Sequence, residues 1–248
     1  MFQLHRRLIP ALIVSAILAS VQPGGAAGDD KDAEKQALEH ARQEVQAFDD
    51  AAREAKNAPD VVAAIEKLAR TKHLLVVQKL GDLTVDNHVD AVVVAAAKAL
   101  AEQGDDRAVP ALVQGLSVHQ EKGEEEVLVA VLRALGTLKD RRAGAAVANQ
   151  VNHGKSNGVK KAAVEAAGKI RAVEAIDPII DLLQNASVPD ARIRSRGPGR
   201  GSRTVANPLK SLKEPCLDAL KAITGQSHGG YDKWKEWWQA NRSTFVVK

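Results

Sequence analysis

Between residues 89 and 183 the apolar positions fall at helical spacing, and the helices they predict come in pairs. Val89, Val92, Val93, Ala96 and Leu100 recur by three and four, as one face of an α-helix does. Val127, Val131, Ala134, Leu135 and Leu138 repeat the pattern, and so do Val159, Ala162, Ala163, Ala166 and Ile170. A short polar turn follows ("GDD", "KDR"), then a second apolar run such as Val109, Leu112, Val113 and Leu116. Segments 97–116, 132–151 and 164–183 align without gaps, their starts 35 and 32 residues apart. The first two share Ala99/Ala134, Leu100/Leu135, Asp105/Asp140, Arg107/Arg142, Ala108/Ala143 and Ala111/Ala146. A fixed period of this length predicts stacked repeats, because one helix pair cannot bury both of its apolar faces alone.

The repeated pattern is Ala-Leu-Gly-x-Leu-x-Asp-x-Arg-Ala-x-x-x-Leu, met most closely at 134–147. It resembles HEAT repeats, in particular the short phycobilisome-lyase HEAT-like kind. The resemblance covers roughly 58–225, with a weaker unit at 60–81. It implies an all-α fold: an α/α superhelical solenoid of about four HEAT-like helix pairs, stacked right-handedly, with a concave binding face. It also implies that an Asp and an Arg in the inter-helix turn brace adjacent repeats. Asp105, Arg107, Asp140 and Arg142 match those positions, whereas the third unit has Ala172 and Glu174 there.

Both ends depart from the repeat. Residues 1–27 have a basic start (Arg6, Arg7), an apolar run from Leu8 to Val21, and small residues Gly25 and Ala27 before Gly28. That is the layout of a cleaved secretory signal peptide. The apolar run of 14 residues is short for a membrane span. Export to the periplasm or the extracellular space is therefore expected, with no span in the mature chain. Residues 28–57 predict a charged helix whose seam of Leu38, Ala41, Val45, Phe48 and Ala52 caps the first repeat or pairs with another copy. In 226–248, Tyr231, Trp234, Trp237 and Trp238 are every Tyr and Trp of the chain and share one helical stripe. They form a structural cap on the last repeat or, alternatively, a platform on which carbohydrate or peptide stacks. The "ITG…YDKWKEWWQAN" ending also resembles the ends of many exported bacterial HEAT-repeat proteins.

Charge sharpens the asymmetry. Residues 28–57 carry nine acids and five bases, while 186–248 carry twelve bases and five acids. Opposite ends of opposite sign suit self-association or an anionic partner. Apolar periodicity stops between Leu183 and Pro208, an Arg/Gly-rich insertion at about 186–207 that is expected to interrupt the last helix pair without adding a sheet. Arg192, Arg194, Arg196, Arg200 and Arg203 lie there, with Asp190 the one acid nearby. Guanidinium forks fit carboxylate, sulfate and phosphate. The cluster is either an anion- or partner-binding loop, for an acidic protein or polyanion, or a solvated insertion.

Other chemistries find little support. "GPGRGS" at 197–202 lacks the Lys-Ser or Lys-Thr ending and preceding strand of a phosphate-binding loop. The seven His residues are scattered, with no pair at metal-ligand spacing. No catalytic residues, metal or cofactor are expected, nor nucleic acid for an exported chain. "EKGEEE" at 121–126 reads as acids at a helix start. Cys216, the one cysteine, reads as a buried apolar residue. The functional expectation is a non-enzymatic protein-binding scaffold or adaptor of unknown partner. The alternatives are an enzyme accessory or lyase-like HEAT protein, a polyanion-binding envelope protein working through the Arg-rich loop, and a self-associating structural protein.

Overall fold

The computed structural model describes residues 26–194 and 202–246. Two compact units divide between Ala37 and Leu38. The described part of the first is the start of helix α1 (Ala26–Glu54), and the second holds the solenoid. Its helices are α2 (Ala58–Leu68), α3 (Leu74–Asp86), α4 (Asp90–Gln103), α5 (Val109–Lys122), α6 (Glu125–Leu138), α7 (Gly144–His153), α8 (Asn157–Ile170) and α9 (Ile176–Ala186). Strands β1 (Ala191–Arg194) and β2 (Ser202–Val205) follow, then α10 (Lys213–Thr224) and α11 (Tyr231–Asn241).

Helices α2, α4, α6, α8 and α10 pack in series as one layer. The second helix of each pair lies in the other layer, where α3 meets α5, α7 meets α9 and α9 meets α11. The architecture is an all-α solenoid. The Trp-rich helix α11 joins the second layer against α9. Small residues set the spacing of the first layer. A Cβ at Gly136 would lie 3.1 Å from the Ala166 Cα on the next helix. Between the layers sit fully buried Leu80, Leu100, Leu112, Leu135, Ile176 and Leu183, each contributing ~1.5–3 kcal/mol by leaving water. At the N-terminal edge Ala41 and Phe48 of α1 are buried, and Val45 and Ala52 are partly so, as the seam predicts.

Each helix stops for a local reason. The first-layer helices α4, α6, α8 and α10 end on a left-handed residue: Gly104 (φ 70°), Lys139 (56°), Arg171 (59°) and Gly225 (72°). Asp105 and Asp140 then start the short 3-10 turns that lead into α5 and α7. Their carboxylates accept the backbone N–H of Arg107 (2.9 Å) and Arg142 (2.8 Å).

Polar side chains link repeats at the period of the sequence. Gln103 Nε2 donates to the carbonyls of Ala69 (3.3 Å) and Thr71 (3.0 Å), just past the end of α2. His119 is 1% exposed. Its Nε2–H donates to Thr84 O near the end of α3 (2.9 Å), and its Nδ1 meets the Glu124 carboxylate. Gln150 bonds Gln120 of the preceding pair. Helix ends leave carbonyls without intrahelical partners, and in this stack the neighbouring repeat supplies several of the missing donors.

One expectation fails at the insertion. It forms an antiparallel β-hairpin, with Arg192 opposite Thr204 and Ile193 opposite Arg203. It lies between α9 and α10, which pack against each other. A stretch with one extended segment on each side of a Gly-rich middle can pair with itself, and no apolar alternation announces that.

Candidate functional site: the basic hairpin and the aromatic end

The hairpin stands on a defined base. α9 ends at Ala186, and Asn207 Nδ2 donates to the carbonyls of Asn185 in its last turn (2.8 Å) and Val188 just beyond it (3.0 Å). The Asn207 Oδ1 accepts from Leu209 N (2.9 Å). Its own N–H donates to Asp190 Oδ1 (3.1 Å), while Lys210 Nζ pairs with Asp190 Oδ2 (3.1 Å). The Asn207 N–H, and after it Lys210, holds the Asp190 carboxyl below the usual carboxylate range. Asn157 Nδ2 reaches Pro208 O (2.7 Å) and ties the base to the start of α8. Arg192 and Arg194 are on β1 and Arg203 is on β2. Arg203 pairs opposite Ile193 and so differs in ladder parity from Arg192 and Arg194. Arg196 and Arg200 lie outside the described residues, as do residues 1–25, which hold most of the expected signal peptide.

The aromatic end is built from more than the tail stripe. Trp234 is 1% and Trp238 6% exposed, while Tyr231 and Trp237 are half-buried. Trp238 Nε1–H donates to Asp177 Oδ1 on α9 (2.8 Å). His228 and Phe245 complete the ring lattice. His228 meets Trp234 edge-on at 4.7 Å, and Phe245 lies 5.8 Å from Trp237 and 5.6 Å from Trp238. The stripe is thus a packed joint against α9 and the final repeat, and Trp237 is its least buried tryptophan. Beside it, a cavity of about 540 Å³ is lined by Arg171, Gly225, Gln226, Trp237, Asn241 and Phe245, among others.

The turn residues behave unequally. Arg107 pairs with Asp105 of its own turn (2.6 Å). Arg142 pairs with Asp140 and also crosses to the preceding repeat, donating to Asp106 O (3.0 Å) and Oδ2 (2.9 Å). The crossing partner is Asp106, one place beyond the expected Asp105. At the next junction Glu174 stands in. A Cβ at Gly144 would lie 2.7 Å from Glu174 Oε2, so the carboxylate rests on the first residue of α7, where a helix favours negative charge. Hydrogen bonds from Arg107 and Arg142 hold the carboxyls of Asp105 and Asp140 below their ordinary range.

Cys216 is buried in α10, and burial pushes its thiol up to about 12, the opposite of an activated nucleophile. Among the described residues, no group of three His, Cys, Asp or Glu is placed to hold a metal ion. No helix among them is long and apolar enough to cross a membrane.

This geometry defines a helical-repeat protein of the α-solenoid class. Residues 116–196 match the family described as HEAT repeats, and residues 92–117 match the PBS lyase HEAT-like repeat. The matched segments run from α4 to the region of the first hairpin strand and span less than half of the chain. No curated protein matches it.

Proposed function

We propose that the chain is a non-enzymatic, protein-binding scaffold that takes an anionic partner at the basic hairpin. HEAT repeats suit protein interaction, and the observation that supports this particular site is the clamp at its base. Asn207 and Asp190 between them make four hydrogen bonds that join the end of α9 and the loop after it to the segment leading into α10. Surface insertions are tolerated without such anchoring, so an anchored base supports a role for the hairpin. The partner class is an acidic protein surface, with other polyanions as the second reading, since both offer oxygens to guanidinium forks. The pattern of residues 1–27 supports export, which places the partner in the periplasm or outside the cell.

The test replaces Arg192, Arg194, Arg196, Arg200 and Arg203 by Ser. The expected result is an unchanged melting temperature with clearly earlier elution from an immobilised heparin column. An acidic protein captured by the native chain should be lost in parallel. Unfolding of the variant would make the cluster structural, and unchanged elution would remove the hairpin from binding.

A further inference from the structure

The two layers of the stack present different surfaces. First-layer helices are charged outside, as at Lys98 and Glu102 on α4, Arg133 on α6, and Lys161 and Glu165 on α8. The middle of the second layer is not. From Val109 to Val118 on α5, and from Gly144 to Asn152 on α7, no residue is ionisable, yet Gln114, Ser117, Asn149 and Asn152 are exposed. Exposed helix faces ordinarily carry charge, whereas the centres of binding interfaces are depleted in it. Exposed Gln78 on α3 extends the row: Gln78, Gln114 and Asn149 stand 36 and 35 residues apart, one per repeat. Among the described residues, the side chains of Gln78 and Gln114 make no hydrogen bond to another residue. Asn149 Nδ2 reaches Gln120 Oε1 at 3.4 Å, which leaves its second N–H and its carbonyl oxygen for a ligand. Exposed carboxylates border the neutral patch, Asp82 on α3 and Asp181 on α9, with Lys235 of α11 close enough to feel Asp181.

We infer that this face of α3, α5 and α7 binds an uncharged, proline-rich segment of a partner protein in the polyproline II conformation. Neighbouring helices of a layer stand about 8–10 Å apart, and a polyproline II chain repeats every three residues, about 9.3 Å. One side of such a chain meets one carboxamide per turn. A β-strand shows the same side every two residues, about 6.8 Å, and falls out of step with the row. A polyproline II backbone makes no internal hydrogen bonds, so its carbonyls are open to the N–H groups of the carboxamides. A charged side chain laid on the neutral middle loses water and gains no counter-charge. The acids at the borders favour basic residues at the ends of the segment. This face is separate from the basic hairpin and does not rest on the reading given to it.

The test follows the side-chain amide signals of Gln78, Gln114 and Asn149 by NMR in the full chain. The probes are decaproline, glutamate and lysine oligomers of the same length, and a neutral, flexible Gly-Ser repeat. Decaproline should shift all three signals, and the other probes should leave them in place at the same concentration. Decaproline with lysine at both ends should bind more tightly than decaproline with glutamate there, and the difference should shrink in salt. Asn149→Ala should weaken decaproline by about two- to tenfold, and Asn149→Gln should retain it. Gln114→Glu keeps the shape, removes the donor and should weaken binding at least as much. The melting temperature should hardly move in any of these exposed-site variants. Replacing the five hairpin arginines by Ser should leave decaproline binding intact, so failure of one site is distinguishable from failure of the other. A lysine oligomer that shifts the row more than decaproline does would overturn the inference in favour of a basic partner. An equal response to the Gly-Ser repeat, or no shift with decaproline, would also overturn it and make the row a solvated surface.

Discussion

The junctions inside the stack and the junction at its C-terminal end solve the same problem with opposite side chains. Inside, helices approach through Ala and Gly, as at Gly136 and Ala166, and polar atoms are satisfied across the repeat by Gln103, His119 and Arg142. At the end, Trp234, Trp238 and Phe245 fill the space, and one indole N–H is anchored on Asp177. The difference follows from neighbours. An internal pair is covered on both sides, so close spacing gives the most contact per residue. Among the described residues, α10 meets α8 and α9 and α11 meets α9, and the large rings of α11 bury their area against one another and against that end.

The largest expected effect lies at the end. Trp234→Ala should lose ~3–5 kcal/mol, and the loss should stay local. Hydrogen exchange should rise across residues 213–241 and little near residue 100. Cys216, whose thiol is buried, serves as a second reporter: its alkylation at neutral pH should accelerate in the variant. Unchanged exchange around α10 would mean that the rings form a surface rather than a joint.

Next comes an internal contact. A Cβ at Gly115 would lie 2.7 Å from the Thr84 carbonyl oxygen, which also receives the His119 bond. Gly115→Ala should therefore destabilise by ~1–3 kcal/mol, although Ala is favoured over Gly in a helix by up to ~1 kcal/mol. A rise in melting temperature would show that the second layer is looser than the first. Asp177→Ala should come third, at ~1 kcal/mol, because it leaves the Trp238 indole N–H without its acceptor. Asp177→Asn should recover part of the loss in a denaturant titration.

The smallest effect is at the exposed turns. Arg142→Ala should lower the melting temperature only slightly, and less so in high salt. Its signature is in the acid limb. Arg142 depresses the Asp140 carboxyl, so the pairing contributes fully above the ordinary carboxylate pKa of about 4 and is lost as pH falls through the lowered value. Native and variant curves should diverge at neutral pH and converge in acid. Divergence that persists below both values would show a packing role for Arg142 instead.

The layers were legible in the sequence because apolar spacing reports which side of a helix is covered. Polar partners were less so, although the period held a clue. His119 lies 35 residues from Thr84, and Arg142 lies 36 from Asp106, so each reaches about one repeat back. Residues one period apart are neighbours in a solenoid, and a buried His searched at that offset finds its acceptor. The role of Asp177 had no such signal, since 61 residues separate it from Trp238. The hairpin was hidden for another reason: its pairing is made by backbone groups, on which the alternation of Arg with small residues is silent.

The left-handed stops bear on how this chain drifts over generations. Among the described residues, five helices end in the same backbone state, three with Gly and two with Lys139 and Arg171. A side chain there costs roughly 1–2 kcal/mol relative to a right-handed residue, a penalty that glycine escapes. Neutral drift should therefore replace both basic residues with glycine unless something opposes it. Lys139 provides the internal control for Arg171. In a set of diverged sequences, position 139 decaying to glycine while position 171 keeps a cation would record selection acting on the side chain beside the aromatic cavity.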